Sequence, residues 1–140
     1  MAAPLTCDTS VVIAGLSEWH PEHAGARRVL ARIEWLPAHV VAESVSVLSR
    51  LPHGHAISLT DAVSVVRRLA DGRIRQLRAD RYLIVLSATA SAGLGGGAVY
   101  DAIIGATARE HEATLLTLDE RAQRGYRAVG ARFESVAATP

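Results

Sequence analysis

The 140-residue chain has no lysine, one cysteine and no apolar run approaching the roughly 20 residues that span a bilayer. Each absence removes a class of protein. With a single thiol, Cys7, an internal disulfide is excluded, and its place in the first apolar run predicts a small buried hydrophobe rather than a nucleophile. A phosphoacceptor receiver domain, which also uses acids at strand ends, needs a lysine that this chain lacks. Gly93-Leu94-Gly95-Gly96-Gly97 has no Lys-Ser/Thr to follow it, so it reads as a hinge and not as a phosphate-binding P-loop. The opening MAAPLTCDTS carries no basic segment followed by an apolar one. The expectation is a soluble, cytoplasmic protein with no membrane partner.

What is present is one domain's worth of chain, long enough to bury roughly two-thirds of the surface of its unfolded form without a metal or disulfide staple. The domain is expected over residues 1–136, with 137–140 as a loose tail. Formal charge is +1 and all fifteen cationic side chains are arginines, so total charge argues neither for nor against a nucleic-acid partner. Their distribution is more informative. Arg73, Arg75, Arg78 and Arg81 form a basic cluster and are candidate RNA contacts, because guanidinium groups suit bidentate phosphate contacts. The paired histidines His20/His23 and His53/His55 fall in polar loops and read as solvated.

Periodicity divides the chain into short strands alternating with helices. Leu5 to Asp8 is a strand; Thr9 and Ser10 open a helix ending near Leu16. A second helix covers His23 to Ile33. After a break at Trp35-Leu36-Pro37, where Trp35 and Leu36 are expected in the core, a third carries Val40, Val41, Val45, Val47, Leu48 and Leu51 on its apolar face. Ser58 to Asp61 reads as a capping box for a helix that stops at Gly72. Arg73 to Leu77 is a short strand or extended link. Asp80 is expected to cap a helix with Tyr82, Leu83, Val85, Leu86 and Ala90 facing inward. The segment AVYDAIIGATAREHEATLLTLDER then reads as helix, polar break, buried strand and terminal carboxylate. Arg132 to Val136 is a last strand. This alternation predicts an α/β fold with a parallel sheet and right-handed crossovers.

Four acids share one property: Asp8, Glu43, Asp101 and Asp119 each fall at or near a strand-to-helix edge, where open α/β sheets bind ligands. Two unit negative charges about 5 Å apart repel by roughly 3 kcal/mol at an effective dielectric near 20. Four such groups need compensation. Oxygen-only ligation points to Mg²⁺ or Mn²⁺ rather than zinc. A site of that kind lowers the pKa of a bound water and neutralises a phosphate, which is the apparatus of phosphodiester hydrolysis.

The stretches CDTSVVIAGL, HVVAESVSVLSRL and GGAVYDAIIGATAREHEATLLTLDERA resemble the PIN-domain ribonucleases, in particular the toxins of bacterial VapBC toxin–antitoxin pairs. The likeness covers essentially the whole chain, in the family's order, and YDAIIGATA followed by TLLTLDERA is its most specific part. It implies a PIN fold, a short parallel sheet flanked by helices. It also implies that Asp8 and Asp101 ligate Mg²⁺ or Mn²⁺ directly, while Glu43 and Asp119 act through bound waters, one of which attacks the phosphorus of RNA. Hydroxyls at Thr9 or Ser10 and at Thr117 would support the site. The resemblance further implies a homodimer that cuts tRNA or rRNA and stops translation, restrained by an antitoxin covering the active face. Alternatives within the family are a housekeeping nuclease of RNA maturation and a catalytically silent binding module; the full acid set argues against the latter.

Overall fold

The computed structural model describes residues 2–136; the expected tail at 137–140 lies outside them. Three strands form a parallel sheet in the order β1-β4-β5: β1 is Leu5–Cys7, β4 is Thr114–Thr117 and β5 is Phe133–Ser135. Cys7 lies opposite Leu116, and Leu116 opposite Glu134. All four residues of β4 are buried, as befits the central strand of a parallel sheet covered on both faces. Two further strands, β2 (Leu36–Pro37) and β3 (Ile74–Arg75), pair in parallel beside it. The segment leading into β2 is tied to β1, since Glu34 N–H donates to the Leu5 carbonyl at 2.8 Å and Thr6 Oγ1 donates to the Trp35 carbonyl at 2.7 Å.

Among the described residues seven α-helices connect the strands: α1 (Thr9–Leu16), α2 (His23–Leu30), α3 (Ala38–Leu48), α4 (Leu59–Ala70), α5 (Tyr82–Ser91), α6 (Ala98–Glu110) and α7 (Gln123–Ala128). The central core joins the sheet to α1, α3, α6 and α7 through Val11, Val12, Leu36, Val40, Ile104, Leu115 and Tyr126. Trp35 and Leu36 are buried as expected, and so is Cys7. Ile13, Leu48, Ala62 and Val66 pack α1, α3 and α4 together on one flank. Leu77, Val85, Ala102, Ile103, Ala106 and Val129 pack α5, α6 and α7 on the other.

Two local expectations are corrected. Ser58 caps α4, accepting from Asp61 N–H at 3.0 Å, but Asp80 caps no helix. It lies within a 3-10 turn, Ala79–Arg81, and accepts from the Arg78 guanidinium at 2.6 Å. On α5 the inward face is Val85 and Thr89, not the Tyr82-Leu83 side; Leu83 is 77% exposed, and Ile84 and Ala90 also face solvent. That helix is apolar nearly all round, so periodicity had no polar face by which to orient it.

Gly125 sets how closely α7 approaches the start of α6. A Cβ at Gly125 would lie 2.9 Å from Asp101 Cβ and 3.2 Å from the Ala98 carbonyl oxygen. These are backbone or near-backbone atoms that cannot swing aside. Gly125→Ala is therefore expected to cost about 1–3 kcal/mol, read as a lower urea midpoint at unchanged m-value.

Candidate active site

The parallel pairing of β1 with β4 brings two chain exits side by side. Asp8 follows β1 and is only 3% exposed; its N–H donates to the Leu116 carbonyl at 3.1 Å, which sets its side chain against Thr117. Oδ1 of Asp8 accepts from Ser10 Oγ at 2.5 Å and from Val11 N–H at 3.4 Å, so the carboxylate also caps α1. Oδ2 accepts from Thr117 Oγ1 at 2.5 Å and from the Tyr126 hydroxyl at 2.6 Å. Burial raises the Asp8 pKa, and the hydrogen bonds from Ser10, Thr117, Tyr126 and Val11 oppose that rise.

The two short hydroxyls are themselves oriented. Leu118 N–H donates to Ser10 Oγ and Asp119 N–H donates to Thr117 Oγ1, each at 2.9 Å. A backbone N–H can only donate, so each hydroxyl is left to direct its own proton at Asp8. The loop leaving β4 is thereby fastened to Asp8. Asp119 on that loop accepts from Arg121 and Ala122 N–H at 2.9 and 3.3 Å, capping the turn into α7.

Asp101, on the first turn of α6, and Glu43, on α3, complete the set. The Asp101 pKa is pushed up to about 6, first by burial and then by the charges of Asp119, Glu43 and Asp8; His39 opposes the rise. Glu43 goes the other way. His39, with Nε2 3.6 Å from Glu43 Oε2, is the largest cause of its lowered pKa, against the opposing effect of burial. Asp8, Glu43 and Asp119 therefore all lie within electrostatic reach of Asp101. Thr9, Ser10, Glu43 and Asp119 line a cleft of about 610 Å³, which His20, Glu22 and Arg121 also border.

Among the described residues, no three His, Cys, Asp or Glu side chains close on one point tightly enough to cage a metal by themselves. The donor set fits instead a hard divalent cation held by one or two carboxylates, with water completing its shell. Thr9 Oγ1 supports that fit. It lies near enough to Glu43 to favour the ionised form, yet it is buried with no hydrogen bond of ordinary geometry, leaving a polar atom short of a partner in the cleft.

Sequence reasoning missed Tyr126, His39 and Gly125. A buried tyrosine hydroxyl needs an acceptor, but nothing local shows that it is Asp8, 118 residues away. His39 and Glu43 stand at i,i+4 on one helix, a signal that was open to reading. The four candidate arginines divide into two pairs. Arg73 donates to the Ile33 and Leu69 carbonyls, and Arg75 lies over the Trp35 ring. Arg78 and Arg81 border a separate groove of about 630 Å³ with Arg109 and Arg127, between α5, α6 and α7.

Burial of Asp101 among like charges has a thermodynamic signature. Between the ordinary Asp value of 3.8 and the folded value of about 6, the folded protein holds the Asp101 proton more tightly than the unfolded chain, so stability falls as pH rises through that window. In chelator, Asp101→Asn is expected to melt above the parent at about pH 7.5 and to lose that advantage by about pH 4, as followed by circular dichroism.

The PIN domain family profile matches residues 5–128. Over 136 residues the chain is 38% identical to Ribonuclease VapC40 of Mycobacterium tuberculosis (strain CDC 1551 / Oshkosh), covering 97% of this chain and 99% of that protein. It is 37% identical over 132 residues to Ribonuclease VapC27 of M. tuberculosis H37Rv, covering 93% and 95%. The fold is similar to that in the structure of FitAB bound to an IR36 DNA fragment, with TM-score 0.69, 20% identity and 97% coverage of both chains. It is also similar to FitAcB from Neisseria gonorrhoeae, with TM-score 0.66, 21% identity and coverage of 96% and 99%. Profile, identity and fold agree with the parallel sheet flanked by helices, and the chain belongs to the PIN-domain family.

Proposed function

We propose that this protein is the toxin of a toxin–antitoxin pair, a Mg²⁺- or Mn²⁺-dependent endoribonuclease that cuts tRNA or rRNA and so halts translation. The observation that carries this reading is that Asp8, Glu43 and Asp119 all lie close enough to Asp101 to add to the effect of its burial, and together these push its pKa up to about 6. The ribonuclease names of its VapC relatives support it. Asp8 and Asp101 would hold the cation directly, with Glu43 and Asp119 reaching it through water. When bound, the metal supplies a water of lowered pKa and neutralises the phosphate. The chain's own residues do the rest. Ser10, Thr117 and Tyr126 hold the Asp8 carboxylate in one orientation. His39 keeps Glu43 ionised, and so available to accept a proton or orient a water in the cleft. Arg78 and Arg81, with Arg109 and Arg127, would grip the RNA backbone away from the acids.

An antitoxin placing a cation among the acids would relieve the same repulsion. The outward face of α5, with Leu83 and Ile84, is the surface by which two copies would pair as a homodimer. Among the described residues, no helix is long and apolar enough to cross a membrane.

Mn²⁺ titrated into the antitoxin-free protein, followed by incubation with total tRNA and rRNA, is expected to yield discrete fragments, with none in chelator. Asp101→Asn should cut at least about a hundredfold more slowly; unchanged metal binding and cleavage in that variant would show that the site is misassigned. Leu83→Glu is expected to elute as a monomer, by light scattering, with the far-ultraviolet circular dichroism spectrum of the parent; a dimer that persists would place the interface elsewhere.

A further inference from the structure

The loop between α1 and α2 brings an aromatic cluster to the edge of the acid cleft. Of two tryptophans, Trp35 is buried, whereas Trp19 stands 46% exposed. Its ring stacks on His55 with centroids 4.1 Å apart and planes 18° from parallel, joining two loops distant in sequence. His20 lies against the same ring at 5.7 Å and itself borders the cleft that holds Glu43 and Asp119. The arrangement is rigid. His20 N–H donates to the Ser17 carbonyl at 2.9 Å, His23 N–H donates to the His20 carbonyl at 3.0 Å, and His23 Nδ1 donates to the Ala14 carbonyl at 2.9 Å. Glu22 N–H donates to His20 Nδ1 at 3.0 Å, so the neutral ring carries its proton on Nε2, which has no partner among the described residues.

We propose that Trp19, backed by His55, is a stacking platform for an unstacked RNA base beside the cut phosphate, with His20 Nε2–H donating to that nucleotide. The proposal rests on the reading of the acids as a ribonuclease centre and names the part of the substrate that the acids cannot hold. Carboxylates repel a phosphate backbone, so an RNA strand needs an uncharged contact close to them. Single-stranded RNA offers base faces, which aromatic rings bind with little regard to charge. A preformed platform adds little ordering cost on binding. His20 and His55, read from sequence as solvated loop residues, become part of a site because two loops meet over Trp19.

The test uses the Asp101→Asn protein in chelator, so that the strand is not cut, and a fluorescein-labelled single-stranded RNA of about six nucleotides. Affinity is read by anisotropy, alone and with Trp19→Leu or Trp19→Phe added. Leucine keeps apolar bulk and loses the ring face; phenylalanine keeps a smaller one. The expected result is a loss of about 5- to 150-fold for Trp19→Leu, largely recovered by Trp19→Phe. A strand of the same length lacking its bases should bind the Trp19 protein as weakly as RNA binds the leucine variant. Equal affinity for RNA and the abasic strand, or equal affinity of the tryptophan and leucine proteins, would overturn the platform while leaving the nuclease reading standing. No RNA binding by the Trp19 protein, together with no cleavage by wild type in Mn²⁺, would overturn both.

Discussion

The structure depends on keeping one buried carboxylate in place. Asp8 is withdrawn from water at the end of β1, and a bare charge there would be costly. Its compensation comes from Ser10, two residues on at the start of α1, and from two distant parts of the chain, Thr117 at the end of β4 and Tyr126 on α7. Those bonds do more than solvate a charge. They hold the exits of β1 and β4 together and tie α7 to both, so the arrangement that keeps Asp8 ionisable also delivers Asp119 and Asp101 to the same rim. Gly125 belongs to that constraint, because only a residue without a side chain lets Tyr126 approach while Asp101 stays on the α6 turn beside it.

The remaining acids are arranged at the expense of stability. Burial and three like charges make Asp101 hold its proton up to about pH 6, while His39 keeps Glu43 ionised. A fold optimised for stability alone would replace at least one of these groups. Their retention makes sense where an added cation, from solution or from a partner, completes the site. This balance also separates the roles of the acids. Asp8 is fixed by neutral donors, whereas Asp101 responds to the charges of Asp119, Glu43, Asp8 and His39 around it.

How far the site could be read from sequence depended on how local its cause was. Asp8, Asp101 and Asp119 stand where apolar strand or helix patterns begin or end, and those boundaries are local. The α5 face could not be read, since Tyr82, Leu83, Ile84, Val85 and Leu86 run without a polar interruption and only packing against α6 and α7 selects Val85. Asp80 looked like a cap because caps are often acids before an apolar run, but an exposed arginine two residues earlier claims it. Arg73 lay in a basic run, yet the carbonyls of Ile33 and Leu69 occupy it.

By itself the sequence determined the alternation of short strands and helices, the burial of Cys7, Trp35 and Leu36, and the placing of Asp8, Asp101 and Asp119 at element boundaries. These follow from periodicity and end chemistry acting over a few residues. Tertiary structure alone decided that Tyr126 is the fourth donor to Asp8, that Gly125 allows it, and that Trp19 and His55 stack beside His20, which borders the cleft. Such contacts join residues tens to more than a hundred positions apart. Chain closure, and not local propensity, chooses these partners, so no window along the sequence contains them.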